Sequence, residues 1–298
     1  MKIIPHLQKG DSVALISPAK AIDNELILNA KSLWEKEGYS VLIGKNASQK
    51  EFYFAGKIEQ RVADFNEALN NKEIKAIVCT RGGYGCIQLL DLIDWTLFET
   101  NPKWIIGFSD ITVLHLKLQQ MNFPSIHATM PLNYSENNKA SLHSLFESVR
   151  GINLNYTIKA SKFNIQGEAE GVLIGGNLSI LYSMLYSFDN DFFKNKILII
   201  EEIGEYLYHI DRMFYSLKNK GVFQLINGLI IGGFTELKDT NPPFGIHLEK
   251  MLVNHLQPFK IPIVFHFNFG HLNDNRALVL GKKTKLRSLK NEVEISQF

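Results

Sequence analysis

Trp104-Ile105-Ile106-Gly107-Phe108-Ser109-Asp110-Ile111-Thr112-Val113-Leu114-His115-Leu116 is the stretch on which the fold turns. Its short apolar run predicts a buried strand, and Ile111, Leu114 and Leu118 fall at helical spacing directly after it. Between the two stands Gly107-Phe108-Ser109-Asp110, a tight turn. Strand, turn, serine and helix in that order form the layout of a nucleophile elbow. The turn lifts a hydroxyl clear of the sheet, and the N–H after the serine faces the place of an oxyanion. Asp110 falls in the first helical turn, where negative charge is favoured. The G-x-S-x-G form would place glycine where Ile111 stands, and a serine at this point also serves as an N-cap. On this stretch alone Ser109 is either a nucleophile or a cap.

Upstream, buried strands are expected at Ser12–Ser17, Tyr39–Ile43 and Ile74–Cys79, alternating with helices over about 23–38 and 58–69. Strand–helix alternation with short connections predicts an α/β fold with a parallel sheet covered on both faces, and ligands on such sheets bind beyond the carboxyl ends of the strands. Two of those ends are unusual: Thr80-Arg81-Gly82-Gly83-Tyr84-Gly85 and the Ser109 turn. Neither G-x-G-x-x-G nor a Walker lysine is present, so Gly82 and Gly83 read as a second oxyanion donor or as a plain tight turn.

Between residues 130 and 170 the texture becomes polar, and a domain boundary is placed near 155: residues 1–155 with the elbow, residues 156–298 as an α+β half. In that half an apolar strand, Ile197 to Ile200, ends on Glu201-Glu202, a helix carries Asp211-Arg212-Met213, and Phe269-Gly270-His271 follows another apolar run. The tail reads as short strands at 277–280, 285–289 and 292–295. The order Ser109, Glu201, His271 supplies a nucleophile, an orienting acid and a base, each where an apolar strand stops. His115, inside a helix, and His209, near a helix start, read as packed or solvated side chains.

A net charge of +2 and no basic stripe give no case for nucleic acid. Cys79 and Cys86 lack metal-ligand spacing and read as buried thiols in a reducing compartment. No signal-peptide core and no apolar run of membrane-spanning length occur, so a cytoplasmic protein without a membrane partner is expected.

Together these segments resemble the LD-carboxypeptidases, serine peptidases that include murein tetrapeptide carboxypeptidase and the microcin C7 self-immunity peptidase. The resemblance runs from Gly10–Ala19 through Phe54-Ala55-Gly56, Arg81–Gly85, Gly107–Thr112, Gly175-Gly176-Asn177-Leu178 and Glu201–Glu205 to Asp211-Arg212-Met213 and Phe269-Gly270-His271. It implies a flavodoxin-like N-terminal domain, a C-terminal domain with a mixed sheet, a homodimer, and no metal or cofactor. By matching motif it makes Ser109 the nucleophile, Glu201 the carboxylate and His271 the base. The implied reaction is removal of terminal D-alanine from a murein tetrapeptide in cell-wall recycling, with the Asp110 N–H and a Gly82–Gly83 N–H holding the oxyanion. Arg212 is either a clamp for a substrate carboxylate or a partner of Asp211 or Glu205. Tyr84 lines the cleft or belongs to the core. His127-Ala128-Thr129-Met130-Pro131 stands where family members often carry His-Gly-Pro-Met. The rival readings are a peptidase for peptidyl- or aminoacyl-nucleotide antibiotics and a catalytically silent muropeptide-binding protein.

Overall fold

A computed structural model describes residues 2–298. In chain order the strands are β1 (Ser12–Ile16), β2 (Ser40–Ile43), β3 (Ile74–Cys79), β4 (Trp104–Gly107), β5 (Ser125–His127), β6 (Asn155–Lys159), β7 (Gly167–Asn177), β8 (Lys196–Ile203), β9 (Gly228–Thr235), β10 (Ile263–Val264), β11 (Leu278–Leu280), β12 (Lys283–Ser288) and β13 (Glu292–Gln297). The helices are α1 (Asn24–Lys36), α2 (Ile58–Asn70), α3 (Cys86–Leu89), α4 (Trp95–Thr100), α5 (Thr112–Gln120), α6 (Lys139–Val149), α7 (Leu178–Met184), α8 (Leu207–Asn219), α9 (Val222–Leu225) and α10 (Leu248–Leu256).

The chain divides into two compact units. The first takes the chain to Ile152 and adds Asn273–Val279; the second holds Asn153–Leu272 and Leu280–Phe298. In the first unit the sheet order is β11-β5-β4-β3-β1-β2, with β2 to β5 and β1 paired in parallel. Read from the β2 edge this is 2-1-3-4-5, the flavodoxin-like order, whose switch point lies between β1 and β3. Parallel strands covered on both faces must be apolar throughout, and Val13 to Ile16, Ala76 to Cys79 and Trp104 to Ile106 are all buried. Trp34 of α1 is likewise buried, packed on Tyr39 and Phe146 and donating to Tyr134 Oη.

The second unit is a mixed sheet, order β10-β9-β8-β7-β12-β13-β6. Its parallel part, from the second half of β7 through β10, is mostly buried, whereas β12, β13 and β6 pair antiparallel, with β12 and β13 alternating buried with half-exposed residues. That alternation marks a sheet with one solvated face. The α/β architecture and the mixed second sheet are as the sequence predicts. No helix among the described residues is long and apolar enough to cross a membrane.

Candidate active site

In the first unit β4 ends at Gly107, Phe108 is extended, and Ser109 adopts φ 62° before a short turn that leads into α5. A left-handed serine costs about 1–2 kcal/mol, and an N-cap residue has extended dihedrals instead. Ser109 is therefore the strained corner of an elbow and not a cap. Ile111, which stands where the G-x-S-x-G form has glycine, fills the space beside Gly107: a Cβ on Gly107 would lie 2.8 Å from Ile111 Cγ1.

Gly82 lies directly against this corner. A Cβ added to it would meet Ser109 Cβ at 3.0 Å, the Asp110 nitrogen at 3.1 Å and Ser109 Oγ at 3.2 Å. The loop is held there by the Asp110 side chain, buried to 1% exposure, whose Oδ2 accepts the Cys86 N–H at 2.8 Å. Burial pushes the Asp110 carboxyl up, against the hydrogen bonds from Cys86. Gly83 has φ 110°, and Tyr84 is 49% exposed, so Tyr84 is a surface side chain and not part of the core. Beneath the elbow, buried His115 bridges Ser125 Oγ (2.8 Å) and the Gly107 carbonyl (2.9 Å). Burial lowers its pKa to about 3, so the ring is neutral: Nε2–H donates to Gly107 and Nδ1 accepts from Ser125. Cys79 and Cys86 are both buried free thiols.

In the second unit the adjacent carboxylates at the end of β8 point to different partners, as strand alternation requires. The β8–β9 register shifts between Ile200 and Glu202, where Glu201 alone faces Gly232 and Gly233 of β9, so the bulge lies on β9 opposite Glu201. Glu201, fully buried, accepts the His271 Nδ1–H at Oε2, 2.6 Å away. Gly270, at φ 94°, allows this approach, since a Cβ there would stand 2.6 Å from Glu201 Cβ. Burial works against the charged imidazole of His271, but the charge and hydrogen bond of Glu201, with Glu202 and Glu236 behind, outweigh it and raise the pKa above the ordinary value. Glu202 faces the start of α7, accepting from Ser179 N (2.8 Å), Ser179 Oγ (2.5 Å), Asn177 Nδ2 (3.1 Å) and Ile203 N (2.9 Å). Burial nevertheless raises its pKa.

Neither acidic partner considered for Arg212 is bonded to it. Asp211 accepts from His255 (2.6 Å) and Glu205 from His209 (2.6 Å), while the exposed Arg212 guanidinium lies 5.4 Å from the Tyr208 ring centre. Glu205 thus meets His209, four residues on and one helical turn away. The Asp110 carboxylate and His115 were not anticipated for their contacts; a buried carboxylate beside a candidate nucleophile is the signal that would have marked the first.

Residues 13–128 match the family profile described as the LD-carboxypeptidase N-terminal domain, and residues 170–286 that of the LD-carboxypeptidase C-terminal domain. The chain belongs to the LD-carboxypeptidase family. It is a serine-type LD-carboxypeptidase, a hydrolase. This LD-carboxypeptidase is 32% identical over 297 residues to the probable murein peptide carboxypeptidase of Bacillus subtilis, covering 95% of this chain and 90% of that one. It is 31% identical over 286 residues to the murein tetrapeptide carboxypeptidase of Pseudomonas aeruginosa, covering 92% of each. The crystal structure of muramoyltetrapeptide carboxypeptidase from Oxalobacter formigenes superposes with a TM-score of 0.85 at 26% identity, over 96% of this chain and 98% of that one.

Proposed function

We propose that the chain is an L,D-carboxypeptidase that removes terminal D-alanine from murein tetrapeptides in cytoplasmic cell-wall recycling, acting as a homodimer. Ser109 is the nucleophile, His271 the base and Glu201 the carboxylate that serves it. With Nδ1–H donated to Glu201, the Nε2 lone pair of His271 takes the Ser109 proton as the hydroxyl attacks the scissile carbonyl. The Asp110 N–H and an N–H of the Gly82–Gly83 turn hold the oxyanion. His271 then protonates the leaving amine, and water, deprotonated by the same ring, resolves the acyl-enzyme. Tyr84 lines the cleft, and Arg212 takes a carboxylate of the peptide through its fork of donors.

The observation that carries this reading is the His271–Glu201 pair at 2.6 Å, a base with its tautomer set by a buried carboxylate. Murein-peptide names among the relatives support the substrate class. The test is to incubate the pure protein with a murein tetrapeptide and with an aminoacyl-sulfamoyl nucleoside, and to follow both by mass spectrometry. Free D-alanine with the nucleoside intact is expected. Cleavage of the nucleoside alone assigns the chain to antibiotic immunity, and cleavage of neither leaves a binding protein.

A further inference from the structure

The flavodoxin-like order puts the natural ligand crevice at the carboxyl ends of β1 and β3. β1 continues into Ser17-Pro18-Ala19-Lys20-Ala21, and β3 into Thr80-Arg81-Gly82-Gly83. Both segments carry a cation there, and both pack on the turn that touches the nucleophile. A Cβ on Gly83 would meet Lys20 Cβ at 2.9 Å and Tyr53 Oη at 2.9 Å. Lys20 Nζ lies 4.8 Å from the Tyr53 ring centre, and Arg81 Nη1 donates to the Ala21 carbonyl at 3.0 Å.

The charge of this corner is not balanced. Among the described residues no carboxylate forms an ion pair with Lys20 or Arg81. Asp23, which faces Arg81, is held by Lys50 at 2.7 Å. Arg61, below the corner, donates through Nη1 to the Pro18 and Gly85 carbonyls and through Nη2 to Gln88, while its Nε is likewise buried without a hydrogen-bond partner among the described residues. The Asp110 carboxyl interacts with Arg61 and Tyr53; its Oδ2 accepts from Cys86, and its Oδ1 is buried without a hydrogen-bond partner among the described residues. Arg81 Nε is buried without a hydrogen-bond partner among the described residues. Burial lowers the Arg81 pKa, so its charge is held at a cost that an anion would relieve.

We propose that Lys20 and Arg81, with Tyr53 beside them, bind the free α-carboxylate of the residue that leaves. The spacing fits. Gly83 follows Gly82 by one Cα step, about 3.8 Å, and the leaving residue's carboxylate carbon lies three bonds from the scissile carbonyl carbon, a similar reach. A carboxylate at this place makes the enzyme an exopeptidase, because an internal peptide bond offers no charge to the corner. The assignment rests on the proposed peptide substrate, and Lys20, whose side chain makes no hydrogen bond to the backbone, is the residue to change.

The test uses Ser109→Ala protein, so that nothing is consumed, and calorimetric titration with a murein tetrapeptide as the free acid, as its terminal carboxamide, and as the acid amidated only at an internal carboxylate. The free acid and the internally amidated peptide are expected to bind at least about tenfold more tightly than the terminal carboxamide, the worth of a charge-assisted hydrogen bond. Adding Lys20→Met should shrink that ratio towards one while leaving carboxamide affinity unchanged. An equal loss for all three peptides, or an unchanged ratio, overturns the proposal, as does discrimination against the internal amide alone. D-Alanine release by wild-type enzyme with no Lys20 effect would remove the corner and keep the proposed function. The reverse result would remove that function and keep the corner.

Discussion

Glu201 Oε2 stands 2.6 Å from His271 Nδ1, and the carboxylate that makes this contact is fully buried. The pair raises the His271 pKa above the ordinary 6.5. A base must be neutral to accept a proton, so kcat/KM should fall on the acid side through a pKa above 6.5. Stability moves the other way: the imidazolium–carboxylate pair contributes fully below the unfolded value of about 6.5, and that contribution is lost as pH rises through the folded value. Glu201→Gln should shift the acid limb downward and cut the rate by about 10⁴, the loss known for an orienting carboxylate turned to amide. A limb that stays in place would separate Glu201 from the base.

Glu202 behaves differently because its four donors belong to the start of α7, to Asn177 and to its own strand end. Glu202→Gln sets an amide NH₂ against those donors, and leaving buried donors unmatched costs about 1–3 kcal/mol. The variant should melt at a lower temperature and keep its rate per folded molecule within about tenfold, about 1.4 kcal/mol of barrier. Thermal melts beside active-site-titrated kinetics check both halves.

Ser109 holds φ 62°, a conformation that suits glycine better than alanine. Ser109→Ala and Ser109→Gly should both lose turnover. The glycine variant should be the more stable of the two, by up to about 1 kcal/mol after its backbone entropy is counted. Differential scanning calorimetry of the two proteins decides this, and an alanine variant that melts higher would contradict the strained elbow.

Chelators should leave the rate unchanged, since the proposed steps run through Ser109, His271 and backbone N–H groups. Loss of activity in EDTA, restored by zinc, would point to metal-assisted hydrolysis instead.

The alternating half of the fold was legible because parallel, doubly covered strands leave unbroken apolar runs: β3 ends where the sequence places it, and α2 differs by one residue. Three features left no such trace. β11 joins the first sheet beside β5, although residues 277–280 read as part of the tail, because strand pairing is set by distant partners. β7 runs on through Gly175 and Gly176, residues that weaken a strand pattern, to Asn177; Gly175 admits the close approach of β8, a Cβ on it meeting Ile199 O at 2.2 Å. The run Ile263 to Phe267 keeps only two strand residues, since His266 turns left-handed at φ 62°. Of the candidate residues, Ser109 and Glu201 stand near strand ends that apolar runs announce, whereas His271 lies beyond the end of β10, past the left-handed His266. The Asp211–His255 pair joins α8 to α10 and could not be read from spacing along one helix.

The central claim is that Ser109 hydrolyses an L,D bond, and the most direct measurement compares matched tetrapeptides ending in D-alanine or L-alanine, on wild-type and Ser109→Ala enzyme. A nucleophile and oxyanion donors fixed on one face of the carbonyl discriminate the hand of the leaving residue. Wild-type enzyme is expected to release D-alanine, with much slower release of L-alanine, and Ser109→Ala to release neither. Equal rates for the two peptides, or D-alanine release by Ser109→Ala above about a tenth of the wild-type rate, would contradict that claim.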